Sequence, residues 1–138
     1  LEKYGLEKEI DILGFSMGGI ICRYWLQKFN GHKRTRRLIS IGSPHKGTLM
    51  AQLIPKYPFR GISEMKINSM FLRELSKNDC FLDDIECISF FTYWDLMVFP
   101  SWWTNLNLGE KISLKVYKHR NLVRNSFSVE KIIEKIII

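Results

Sequence analysis

An α/β architecture, a parallel sheet with helices on its faces, is what the sequence predicts. Three observations lead to it. Short segments rich in β-branched and aromatic residues alternate with segments of helical character, and the first two of the short segments stop at glycines, Gly14 and Gly42. The third observation is size: 138 residues, 46% hydrophobic and 25% charged, suffice to bury a core. The same length is small for a complete α/β enzyme, and the chain opens on Leu1 near what reads as the middle of a fold. A fragment of a larger domain is expected, spanning 1–138 as one unit.

In chain order, residues 9–13 read as a strand. Residues 17–29 read as a helix of good formers that stops at Asn30-Gly31. Residues 37–41 form a second strand, ended by Gly42 and Pro44. An excursion of about 48–78 follows, with a short helix over 48–54 and a better one over 68–77. Pro55, Tyr57, Pro58 and Phe59 suit an ordered, cap-like loop there. Strands over 85–93 and 112–117 come next. A helix over 128–138 closes the chain, with Ser128 as its N-cap.

The net charge is +7, and part of it sits in one run, His32-Lys33-Arg34-Thr35-Arg36-Arg37. Such a run can hold anionic lipid or nucleic acid. Without interleaved aromatic residues it reads instead as a solvated connection between a helix and a strand, and no nucleic-acid partner is expected. Three cysteines, Cys22, Cys80 and Cys87, do not make a disulfide scaffold and lean towards a reducing, cytoplasmic setting. No stretch approaches the roughly 20 apolar residues that span a bilayer.

In a parallel sheet the chemistry collects on loops at the carboxyl ends of the strands. The first such loop is Gly14-Phe15-Ser16-Met17-Gly18-Gly19, a G-x-S-x-G pattern directly after a strand and before a helix. That context puts the serine on a sharp, strained turn. Gly14 and Gly18 are expected to let neighbouring segments pass close by, and a side chain at either should collide. Ser16 would stand exposed above the helix, with the backbone N–H of Met17 facing an oxyanion. Such a donor is worth on the order of 3 kcal/mol to acyl transfer.

A serine hydroxyl needs a base, and the base a carboxylate to orient it. The chain offers three histidines. His32 lies at the opposite end of the sheet. His45 is at the correct edge but precedes every plausible acid. His119 follows the last strand and comes after the acid. Asp95, after the third strand, fits the acid position, whereas Asp79, Asp83, Asp84 and Glu86 lie before or at the start of that strand. The expected triad is Ser16, Asp95 and His119. The competing reading of Asp95 is a loop aspartate that caps a turn.

The segment 13–26, with Gly14-Phe15-Ser16-Met17-Gly18-Gly19, resembles the nucleophile elbow and helix of bacterial lipases and esterases of the α/β-hydrolase superfamily. Ser43-Pro44-His45-Lys46-Gly47-Thr48 resembles the T-P-H-x-G-T loop of those enzymes, and 68–75 their cap-region helix. Departures are Phe15 where a histidine often precedes the serine, Ser43 for threonine, and Lys118 where a glycine often precedes the catalytic histidine. The resemblance implies a partial α/β-hydrolase fold, the last four strands of an eight-stranded sheet, and acyl-ester hydrolysis without a metal or cofactor. It also implies that the second oxyanion donor and the strands beside 9–13 belong to a missing N-terminal half. Alone, the chain would then expose a sheet edge and tend to associate.

Phe15, Trp102 and Trp103 are candidate substrate-contacting residues. With Phe99 and Pro100, the tryptophans would line an acyl pocket or touch a lipid surface transiently, or else pack under that missing half. Three functions remain open: a lipase or carboxylesterase, another acyl-transfer enzyme with the same triad (thioesterase, acyltransferase or amidase), and a non-catalytic remnant.

Overall fold

The computed structural model describes residues 9–53, 61, 64–77 and 79–137. Four parallel strands lie side by side in chain order: β1 (Ile10–Phe15), β2 (Thr35–Ile41), β3 (Glu86–Phe91) and β4 (Glu110–Ser113). Helix α1 (Met17–Lys28) joins β1 to β2. Helices α2 (Leu49–Gln52) and α3 (Met70–Lys77) lie between β2 and β3, and α4 (Ser126–Ile137) closes the chain. The alternation of strand and helix thus gives the parallel sheet it predicted.

The strands are apolar on both sides because helices cover both faces. Leu38 and Cys87 pack with Leu26 of α1, Leu82 and Leu106. Their neighbours Ile39 and Ile88 point the other way, into a cluster with Phe90, Leu122 and Ile132 of α4. A third cluster, Ile20 with Leu72 and Leu75, fastens α3 onto α1. At β1 the covering is incomplete: among the described residues β1 pairs with β2 alone, and Leu13 and Ile21 are exposed.

Several boundaries differ from the sequence expectation, each for a local reason. β1 runs past Leu13 through Gly14 and Phe15, which pair with Ser40 and Ile41. α1 ends as expected: Asn30 takes the left-handed conformation, and a Cβ on Gly31 would meet the ring of Trp25. β2 starts at Thr35, not Arg37. Arg37 is buried, with Nε donating to Glu86 and Nη1 to the backbone oxygen of Lys135 near the end of α4. Arg36 pairs with Asp11. Arg36 and Arg37 are therefore engaged in ion pairs, Arg36 on the surface and Arg37 buried.

α3 starts at Met70, because Asn68 is left-handed (φ 58°) and Ser69 Oγ caps the helix by accepting from Leu72 N–H. β3 stops at Phe91, where buried Thr92 donates to the Val116 carbonyl instead of continuing the ladder. β4 occupies 110–113, not 112–117. Gly109, at φ 78°, brings the chain against β3 so closely that a Cβ there would lie 1.9 Å from the Cys87 oxygen. After Ser113 the ladder breaks, and a single bridge resumes it between Trp94 and Tyr117. α4 begins at Ser126, since Val129 N–H already bonds to the Asn125 carbonyl. Ser128 is consequently a fully buried first-turn residue and not a cap.

Thr48 caps α2 by accepting from Met50 N–H. Ile54 at the end of that expected helix, the loop residues Pro55, Tyr57, Pro58 and Phe59, and Ile138 lie outside the described residues. The three cysteines are free, and burial pushes the Cys87 thiol up to about 11.

Candidate active site

Ser16 sits between β1 and α1 at φ 54°, ψ −126°. A non-glycine residue rarely holds that conformation, and it costs on the order of 1–3 kcal/mol. Its own N–H pins it by donating to the Ile41 carbonyl at 2.8 Å. The turn is tight because β1 and α1 touch backbone to backbone: a Cβ on Gly14 would lie 2.4 Å from the Cα of Gly19. Gly18 is different. Nothing lies within 4 Å of a Cβ built there, so the expected collision at Gly18 does not occur. The second crowded glycine is Gly19, whose Cβ would meet Ser43 Oγ at 2.1 Å. Both Ser40 of β2 and Ser43 of the next loop press on that position, which a sequence pattern alone does not reveal.

Asp95 and His119 are brought together by the isolated bridge. Trp94 and Tyr117 pair in parallel, so the residues just beyond them leave the sheet side by side. His119 Nδ1 donates to Asp95 Oδ2 at 2.6 Å, and both side chains are buried. The other carboxylate oxygen, Oδ1, accepts from the N–H groups of Met97 and Val98 at 2.9 and 3.1 Å. One oxygen of Asp95 therefore closes a turn, while the other faces the imidazole. The turn is held from outside by Thr48, whose hydroxyl contacts the Met97 carbonyl and accepts from Phe99 N–H.

The imidazole lies against the elbow. Phe15 stacks on it with centroids 4.8 Å apart and planes at 29°. Gly42, at φ 55°, leaves space that a Cβ would take at 3.0 Å from His119 Cε1. His119 Nε2 is buried without a hydrogen-bond partner, and Ser16 Oγ makes no hydrogen bond among the described residues. Thus Asp95 and His119 are bonded, and Ser16 follows directly on the Phe15 that stacks on the imidazole. Met17 opens α1, where the first N–H groups have no partner inside the helix.

Lys118 holds His119 in place at a cost. Its φ is 71° and ψ 140°, a region that favours glycine. Lys118→Gly should relieve this strain and raise stability by about 1 kcal/mol, after the added freedom of the unfolded chain is subtracted. Chemical denaturation measures it, and a loss of stability would contradict the strain.

The remaining sequence candidates lie elsewhere. Phe15 is spent on His119. Trp102 is exposed, and Trp103 lines a cavity that contains none of Ser16, Asp95 or His119. His45 is fully buried, 2.6 Å from Ser40 Oγ, and burial together with the Arg23 charge lowers its pKa to about 3. His32 is half-buried, with Nδ1 bonded to the Leu26 carbonyl and its ring against Phe81. Among the described residues no group of acidic, histidine or cysteine side chains is arranged to hold a metal ion, and no helix is long and apolar enough to cross a membrane.

The family model described as palmitoyl protein thioesterase matches residues 2–98, well over half of the chain. The chain belongs to the palmitoyl protein thioesterase family. The matched region includes Ser16 and Asp95 and stops short of His119. No curated protein matches the chain.

Among solved structures, the chain is similar to a Bacillus licheniformis lipase in its mature form. The two are 14% identical with a TM-score of 0.71, over 96% of this chain and 67% of the lipase. The propeptide form of that lipase gives 14% identity and a TM-score of 0.69, with 96% and 36% covered. Human thioesterase 2 gives 15% and 0.53, with 99% and 74% covered. These likenesses show the fold, a partial α/β-hydrolase fold; the family match over 2–98 together with that fold bears out the superfamily read from the elbow.

Proposed function

We propose that this family member is a serine hydrolase that cleaves acyl esters or thioesters through Ser16, His119 and Asp95. The observation that carries the reading is the buried 2.6 Å bond between His119 and Asp95, set against a strained serine at a strand-to-helix turn. Asp95 fixes the imidazole with its proton on Nδ1, so that Nε2 is free to take the Ser16 proton. Ser16 Oγ then attacks the acyl carbonyl, and the Met17 N–H stabilises the negative oxygen. His119 returns the proton to the leaving alcohol or thiol. Water repeats the sequence on the acyl-enzyme and releases the acid.

A thioester substrate is favoured over an oxygen ester by the family match over 2–98. Around Asp95 the side chains of Trp94, Leu96, Met97, Phe99 and Trp102 are exposed. That apolar rim suits a long acyl chain or transient contact with a lipid surface.

A fluorophosphonate probe tests the nucleophile. The protein should label, and both Ser16→Ala and His119→Ala should remove the label. Labelling that persists in Ser16→Ala would assign the reactivity to another residue. No labelling of the folded protein would favour the non-catalytic alternative. Palmitoyl thioester and ester substrates compared side by side then decide the leaving group.

A further inference from the structure

Away from Ser16, Arg23 Nε, His45 Nδ1 and Asn105 Oδ1 are among the buried polar atoms without a hydrogen-bond partner. All three residues line one small pocket. Buried polar atoms are seldom left unpaired, and here their convergence marks a place where an acceptor belongs. Ser40 Oγ and His45 Nε2 lie 2.6 Å apart, and when the hydroxyl is the donor the ring proton sits on Nδ1. Arg23 uses Nη1 and Nη2 on the His45 carbonyl and on Asp79, which leaves Nε–H available. Two donors thus face a common space. The Asn105 amide can turn to present its NH₂ as a third.

That space adjoins a cavity of about 680 Å³ between α3, the 43–47 loop and the 101–107 segment, and both share His45, Lys46, Ser76 and Asn107. The volume is that of a small-molecule site. Lys46, Arg73 and Lys77 line it together with Trp103, Ile67 and Leu72, and among the described residues no acidic side chain does. Three cations on one wall make a positive potential that favours an anion there. The indole and aliphatic walls suit an organic body attached to that anion.

We propose that this cavity binds a small organic phosphate, independently of the Ser16 site. Lys46, Arg73 and Lys77 hold the phosphate. A phosphate oxygen, or a water bound to it, satisfies His45 and Arg23. Trp103 packs against the organic part. His45 is neutral at pH 7, so it contributes a donor and not a charge.

Calorimetric titration at low salt, with pyrophosphate and with adenosine diphosphate as probes, tests this. Both should bind, the diphosphate nucleoside more tightly. Lys46→Ala with Arg73→Ala should weaken both by at least tenfold, and Trp103→Ala should remove the advantage of the nucleotide. Lys46 and Arg73 are exposed, so the double variant should keep its circular dichroism and its Ser16 labelling. Lys111→Ala with Lys115→Ala, on the far edge of the sheet, should change neither affinity. Absence of binding, or equal losses in the two double variants, would overturn the proposal, because the second result is only general charge attraction.

Discussion

Asp95→Asn should leave the fold intact and lower the turnover number by about four orders of magnitude. The substitution keeps Oδ1 as acceptor for Met97 and Val98, so the turn that positions the residue survives. What changes is the group 2.6 Å from His119 Nδ1, which becomes an NH₂ donor. The imidazole must then carry its proton on Nε2 and point it at the serine, where it cannot accept one. A loss in turnover with little change in KM separates this from a binding defect. Steady-state kinetics together with a melting curve provide the check. A variant that keeps more than about a tenth of the activity would mean that the Asp95–His119 bond is structural and not part of proton transfer.

The largest effect on stability should come from Gly14→Ala. Its Cβ would lie 2.4 Å from the Gly19 Cα and 2.5 Å from the Gly19 nitrogen. Those are main-chain atoms at the first turn of α1, so no side chain can swing away. The strand and the helix must separate, and the cost should be about 3 kcal/mol or more. Against a total stability on the order of 5–15 kcal/mol, the variant should melt far lower or accumulate as aggregate. Gly18→Ala, four positions on, should behave in the opposite way. The space is empty and the residue is helical, so alanine should add up to about 1 kcal/mol. Denaturation curves of the two variants decide between them. Equal losses would show that the G-x-S-x-G glycines act through chain entropy and not through contact.

How much of this was legible before any coordinates depended on distance along the chain. The elbow was readable because its requirements are local: a strand, a serine in a forced conformation and a helix start, within a dozen residues. Asp95 and His119 could be chosen because only three histidines exist and the sheet has one carboxyl edge. What could not be read is how they meet. The Trp94–Tyr117 bridge is a single pair without a repeating pattern, and the sequence suggested an uninterrupted strand over 112–117. Gly18 was misjudged, and Gly19 underrated, for a similar reason. The pattern names which glycines recur, but only packing tells which one touches a neighbour. Arg37 seemed part of a solvated run, since nothing nearby in sequence announces Glu86 or the end of α4 as its partners. The candidate phosphate cavity lies furthest from view, because it gathers residues from α1, a loop, α3 and the segment before β4.

The bond from Arg37 to Lys135 joins residues 98 positions apart. Through this bond α4 is tied to β2 near the start of that strand. The helix lies over the same apolar cluster as Leu122, just past His119. The seat of α4 and the placement of His119 therefore share one apolar cluster, and a substitution that loosens the helix there should loosen the histidine as well.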